Sequence, residues 1–484
     1  MKADLVIKNG FVCTENGVIK GGLAIKDGII IQVGADASLP EAGKTYDAAG
    51  KIIFPGLIEP HCHLGLNHGE GELSGLARYY NDIETESKTA AVGGITTINT
   101  TTLLDGRPMR ERIEEAKRGI GRAYTDFRFY PTAYTDDHFA ELEDLVKEGE
   151  VSGVKFLLGY KGEGARVFGM SDTGYSPDLI FRGFKKLAEI GSPALPMVHC
   201  EDPYIMGEVA APIEAEAPIA YNYSDIFNRS HPGVCEVMDL CKSAYIANYV
   251  GCPLYEVHIS AKETVEQLAY LKAQGFDIIG ETCLHYLIFA VDDPIAFNNP
   301  EWTHQAKVNP PIRTSKDRES LWDAINRGLI TSLGTDHTNY DKATNAIGGS
   351  YWDATPGCGD GMSLTLSVML SEGVNKNKIS LDTLRKITSE NVAKYLGIYP
   401  QKGTLSVGSD ADVVIIDPHY EWVVESAKFE TTHEGSLYEG MKLKGKPVAT
   451  FVRGNLIAEN SKIVATKPIG KSLKSTYCAR PDRA

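Results

Sequence analysis

Six residues of this chain have the types and spacing for metal-dependent hydrolysis. His61 and His63 stand two apart in Pro60-His61-Cys62-His63-Leu64, just after the apolar run Ile52-Ile53-Phe54-Pro55-Gly56-Leu57-Ile58. Side chains two apart on a strand project from one face, roughly 6 to 7 Å apart along the axis, so two imidazoles can close on one metal ion. Alone the pair is weak, because histidines two apart also arise by chance. Its weight comes from metal-type residues that end later apolar runs. These are His199 in Met197-Val198-His199-Cys200-Glu201, His258 in Tyr255-Glu256-Val257-His258, and Asp336 in Ser332-Leu333-Gly334-Thr335-Asp336. The sixth is Lys155, inside Val154-Lys155-Phe156-Leu157-Leu158. An isolated lysine there would ordinarily snorkel out of the strand end, and a protonated amine cannot ligate a cation. Once its amine has captured CO2 it is a carbamate, with the reach and charge to bridge two dications about 3.5 to 4 Å apart. With Lys155 and a hydroxide shared, each of two ions gains three or four ligands and a position stays open for substrate.

The elements that must position these residues follow from periodicity. Between about 55 and 395, apolar β-type runs alternate with amphipathic stretches such as Arg110 to Arg122, Pro177 to Ile190 and Ala261 to Gln274. Eight such runs end near His63, Thr101, Thr132, Gly159, His199, His258, Cys283 and Asp336. Eight strand-helix units predict an α/β fold with a (β/α)8 TIM-type barrel over 55–397, in which the C-terminal strand ends converge on the catalytic rim. Cys62 alternates to the face opposite its histidine neighbours, which predicts buried packing. Short β runs over 1–54 and again over 398–465 predict a small β-sandwich domain built from both chain ends. Residues 466–484 are basic and aperiodic, a C-terminal tail that either docks on a neighbouring subunit or frays.

Composition narrows the partners. With 484 residues, 43% of them hydrophobic and 23% charged, the chain has the make-up of an ordinary globular protein with at least one large core. A formal net charge of −15 argues against nucleic acid or an anionic membrane surface as partner, since both call for a basic patch. A small molecule fits better. No uncharged apolar run approaches the ~18 residues of a membrane span, and the start lacks a signal-peptide pattern. The nine cysteines are scattered singly, which reads as reduced thiols and a cytoplasmic location.

The order His-x-His, Lys, His, His, Asp on eight strands, with flanking β segments and the Gly408-Ser409-Asp410-Ala411-Asp412 approach to the last β block, resembles the amidohydrolase superfamily, specifically its hydantoinase and dihydropyrimidinase branch. The resemblance spans nearly the whole chain. It implies that His61, His63 and Asp336 bind the more buried of two divalent ions, that His199 and His258 bind the other, and that N6-carboxylated Lys155 bridges them. Zinc is the first expectation for the metal, with manganese or another divalent ion open. It also implies that Tyr160 donates a hydrogen bond to the developing oxyanion. Lys307-Val308-Asn309-Pro310-Pro311-Ile312-Arg313 is similar to the segment whose backbone orients the cyclic amide, with Asn309 in place of a serine. Glu281-Thr282-Cys283 also resembles that branch, which makes Cys283 a candidate substrate contact.

The expected reaction is hydrolysis of a cyclic amide or imide C–N bond by a bridging hydroxide, with Asp336 passing the proton to the leaving nitrogen. Resemblance further implies a homotetramer. Some segments depart from the pattern. Related dihydroorotases carry an arginine two residues after the second histidine, to hold a substrate carboxylate, where this chain has Gly65. The loop from Gly65 to Asn81, with His68, Glu70, Glu72, Tyr79 and Tyr80, differs from its hydantoinase counterpart, as do Lys161 to Tyr175 and Thr355-Pro356-Gly357-Cys358-Gly359. These departures keep allantoin opening and acyclic amide hydrolysis as alternatives, beside a non-catalytic scaffold.

Overall fold

The computed structural model describes residues 2–66, 75–102, 106–167, 170–216, 223–294, 305–339, 352, 356–357, 359 and 361–478. His68, Glu70, Glu72, Thr355 and Cys358 lie outside the described residues.

The N-terminal segment forms β1 (Ala3–Thr14), β2 (Gly17–Lys26), β3 (Ile29–Gly34), β4 (Ala42–Asp47) and β5 (Ile52–Pro55). Eight further strands follow, each separated from the next by helical segments: β6 (Leu57–His63), β7 (Ile95–Thr102), β8 (Asp126–Pro131), β9 (Gly153–Leu157), β10 (Leu195–His199), β11 (Leu254–Glu256), β12 (Ile278–Cys283) and β13 (Ile330–Gly334). The short β14 (His337–Thr338) comes next, and β15 (Val413–Val423), β16 (Lys442–Val452), β17 (Asn455–Glu459) and β18 (Lys462–Ile463) complete the chain.

Strands β6 to β13 all run parallel, in two ladders ordered β14-β6-β7-β8 and β9-β10-β11-β12-β13. Parallel bridges Phe129–Val151 and Thr132–Lys155 join β8 to β9. On the other side, the Asp336 amide donates to the His61 carbonyl at 3.0 Å, and β14 pairs with β6, so the ring closes just past β13. Helices cover the outside, which is why the strands read as near-continuous apolar runs. Ile58, Tyr130, Leu195, Met197, Tyr255, Val257 and Ile279 fill the barrel interior, while Val154, Phe156 and Phe184 pack in the layer between strands and helices. Cys62 is buried in that outer layer, opposite its histidine neighbours.

The amphipathic stretches become the helices Met109–Arg118, Pro177–Ile190 and Lys262–Ala273, the first prolonged by a 3-10 turn over Gly119–Arg122. The chain-end strands form one continuous nine-stranded sheet, ordered β18-β17-β16-β15-β5-β1-β2-β3 with β4 on β1. Residues from both chain ends, among them Ile7, Val12, Ile53, Val413, Ile415 and Phe451, share its apolar core. The run from Ile469 to Cys478 is held by backbone hydrogen bonds. It lies along the base of its own barrel, where Leu473 donates to Phe127, Ser475 to Gly149, Thr476 to Gly397 and Cys478 to Ser192. Unpaired backbone groups at the strand starts supply the partners that a sequence without periodicity did not reveal.

Candidate metal centre

All six candidate ligands converge at the C-terminal end of the barrel. His61 and His63 leave β6 on one face, as their spacing predicts, with ring centroids 5.1 Å apart. Asp336 reaches them from just beyond β13: its Oδ1 lies 3.0 Å from His63 Nε2 and 3.4 Å from His61 Nε2. The ligand atoms of His61, His63 and Asp336 all fall within 4.8 Å of one another. Lys155, whose neighbours Val154 and Phe156 face the helices, alternates inward from β9 and brings its Nζ to 2.8 Å from His61 Nε2. His258 stands 5.5 Å from His61 and 4.4 Å from His199, ring centroid to centroid. His258 and Asp336 follow the ends of their strands in left-handed backbone, with φ of 42° and 50°. Such geometry costs about 1–3 kcal/mol per residue and persists where the surroundings enforce it, commonly at functional sites.

Two buried carboxylates brace this cluster. Glu59 accepts from the His61 amide at 2.9 Å and from the Thr335 amide at 3.1 Å, and so pins the ends of β6 and β13 together. Glu281 Oε1 lies 3.1 Å from His61 Nδ1. Sequence reading missed Glu59 and gave Glu281 no role, although each is a carboxylate inside an apolar run, the same anomaly that singled out Lys155. His199 Nε2 lies 3.2 Å from Glu201 Oε2.

Electrostatics follow from burial. The Lys155 amine is pushed down to about 8 by loss of hydration, which favours its neutral form. Burial likewise pushes His61 and His258 well below the usual imidazole range, toward the neutral form that ligates metals. Burial opposes ionisation of Asp336, yet the neighbouring imidazoles of His61 and His63 hold its carboxyl well below the usual range. Glu59 and Glu281 are raised to about 8, chiefly by burial. The donor set of imidazole nitrogens and carboxylate oxygens suits a divalent ion, and the buried Nδ1 of His63 has no hydrogen-bond partner among the described residues.

Tyr160 lies tilted beside the His199 ring, centroids 5.3 Å apart, and accepts a hydrogen bond from the Asn309 side chain, while burial raises its phenol above the ordinary range. Tyr160 and Asn309 therefore meet beside the ligand cluster. Cys283 ends β12, fully buried among apolar side chains. Gly65 has φ of 74°, and a Cβ there would come within 2.7 Å of Tyr79 Cδ2 and 3.0 Å of its Cα. An arginine at this position would collide with the helix Gly75–Gly93, on which Tyr79 sits.

Comparison with known proteins places the chain in a family. The sequence profile of the dihydro-orotase-like family matches residues 50–264, and that of the amidohydrolase family matches residues 254–457. The L-hydantoinase of Paenarthrobacter aurescens is 32% identical over 479 residues, 97% of each chain. The D-hydantoinase of Geobacillus stearothermophilus is 31% identical over 477 residues, 97% of this chain and 96% of the other. A crystal structure of D-hydantoinase superposes with a TM-score of 0.87 at 29% identity, over 98% of this chain and 99% of that one.

Proposed function

The chain belongs to the hydantoinase branch of the amidohydrolase superfamily, and from that premise we propose that it is a metal-dependent cyclic amidohydrolase, which opens a cyclic amide or imide at its C–N bond. The observation that carries this reading is the convergence of His61, His63 and Asp336 within 4.8 Å at the end of the barrel where Lys155 also arrives. His61, His63 and Asp336 would hold one divalent ion and His199 and His258 a second. Lys155 would serve both as a carbamate, formed when its neutral amine bonds to the carbon of CO2 and releases a proton. Ions bound there, with zinc the first expectation, would acidify water and polarise a carbonyl.

The chain's own groups account for the rest. Asp336, kept ionised by its imidazole neighbours, takes the proton of the attacking water. As the oxygen adds to the carbonyl carbon and the C–N bond breaks, Asp336 returns that proton to the leaving nitrogen. Tyr160, its hydroxyl kept protonated by burial, donates to the developing oxyanion. Asn309, in contact with Tyr160, would orient the amide, and Cys283 would pack at the floor of the substrate site. Gly65 supports a substrate other than dihydroorotate, because the position that would hold a carboxylate-binding arginine has no room for a side chain.

The enzyme works as a homo-oligomer, in keeping with the solvent face of the helix Gly233–Val250. Val234, Met238, Tyr245 and Tyr249 stand exposed along one stripe of that helix, at a spacing that suits packing against a second helix. No helix among the described residues is long and apolar enough to cross a membrane. The free cysteines support a reducing, cytoplasmic setting. The reading is tested by assaying metal-reconstituted enzyme on hydantoins, dihydrouracil, allantoin and linear N-acyl compounds. Turnover of a cyclic compound is expected, and activity confined to linear ones would refute it.

A further inference from the structure

Glu281, inside β12, takes no part in the bond cleavage proposed above, yet its carboxylate is fully buried at the ligand cluster. Oε1 lies 3.1 Å from His61 Nδ1, while Oε2 accepts from the Tyr255 hydroxyl at 2.5 Å. That hydroxyl lies 2.8 Å from Ser332 Oγ. A chain of side-chain contacts thus crosses the barrel interior from Ser332 on β13 through Tyr255 on β11 and Glu281 on β12 to His61 on β6. All four residues are essentially inaccessible to solvent. Glu281 has little freedom to swing away: it pairs with Ser332 across the ladder, and a Cβ at Gly334 would come within 2.9 Å of its Oε1.

A neutral imidazole has one N–H and one lone pair, and a hydrogen bond at either nitrogen decides which is which. An acceptor oxygen at Nδ1, here Glu281 Oε1 at 3.1 Å, keeps the proton there. The lone pair then belongs to Nε2, the nitrogen that faces Lys155 Nζ at 2.8 Å and Asp336 Oδ1 at 3.4 Å. We propose that Glu281 is a positioning residue for the metal centre, which fixes His61 in the Nδ1–H tautomer with Nε2 aimed at the divalent ion, and that Tyr255 and Ser332 hold Glu281 in turn. The inference rests on the metal-centre reading given above. It adds that occupancy of the His61, His63 and Asp336 site depends on a carboxylate that itself touches neither ion nor substrate.

The test is titration of metal-free protein with Zn2+ against a chelating competitor, with elemental analysis of bound ions and the melting temperature of the metal-free form as controls. Wild type should bind two ions per chain; if it binds none, the metal-centre reading itself fails. Where wild type binds two, Glu281→Leu should lose about 10- to 100-fold in affinity at one site and retain the other, with a metal-free melting temperature close to wild type. Glu281→Gln, which keeps an acceptor for Nδ1–H, should recover most of that loss. Tyr255→Phe should weaken the same site by a smaller factor. Wild-type affinity at both sites in Glu281→Leu would overturn the inference while leaving the metal centre intact. Should Glu281→Leu fail to fold, Tyr255→Phe decides, since unchanged affinity in that variant overturns the proposal and selective loss at one site supports it.

Discussion

The proposed mechanism gives Asp336 two tasks, and its surroundings suit both: neighbouring imidazoles keep it ionised, and its left-handed backbone aims it at His61 and His63. Asp336→Asn should therefore preserve the fold, as read by circular dichroism, while lowering kcat by orders of magnitude. Lys155→Ala should abolish both metal binding and turnover, with partial rescue by short carboxylic acids that replace the carbamate; unchanged metal content would remove the bridge from the account. Tyr160→Phe should leave metal content unchanged and lower kcat by roughly 10²- to 10³-fold, the loss typical of one oxyanion donor. The candidate ligands were legible in the sequence because metal ligation needs particular residue types, and strand periodicity sets where they point. Glu59 and Glu281 were not, because a carboxylate that braces a ligand through a backbone amide or a ring nitrogen carries no spacing rule of its own. Only its presence within an apolar run, as in Ile279-Gly280-Glu281, marks it.

Strand ends and the loops that leave them set what the metal chemistry acts upon. The eight strands were readable because parallel strands buried on both faces give continuous apolar runs, and the predicted ends at His63, His199 and Cys283 coincide with the ends of β6, β10 and β12. The course of residues 469–478 was not readable, since its docking depends on backbone groups at the barrel base and not on its own side-chain pattern. Gly65 shows how a single backbone conformation limits which side chains fit beside the candidate site. Its φ of 74° and the Tyr79 ring leave no space for a Cβ. Gly65→Ala should destabilise the protein by about 1–3 kcal/mol in denaturant unfolding. Gly65→Arg should fail to confer dihydroorotate turnover, and gain of that activity would show that the loop tolerates what the geometry forbids.

The molecule is joined at the end of the barrel opposite its candidate metal centre. Lys402 there is buried against Asp126 at the start of β8 and against Asp410 and Asp412 ahead of β15, with Arg453 also on Asp126 and the Lys471 amide closing the group. Removing the Lys402 cation leaves the buried Asp410 and Asp412 without an ion-pair partner among the described residues, so Lys402→Met should cost about 3–5 kcal/mol of stability while Zn2+ affinity of the folded protein stays unchanged. The exposed stripe on Gly233–Val250 belongs to the same scale: Tyr249→Glu should shift the proposed homo-oligomer toward smaller species in sedimentation without altering metal content. The central claim, that this barrel opens a cyclic amide through a divalent metal centre, is tested most directly by one assay series. Ring opening of hydantoins, dihydrouracil and allantoin is followed before chelation, after removal of metal, and after restoring Zn2+ or Mn2+ with bicarbonate present. The account predicts turnover of at least one ring that disappears with the metal and returns with it. Turnover that survives complete removal of metal, or no ring opened by protein carrying two ions per chain, would contradict it.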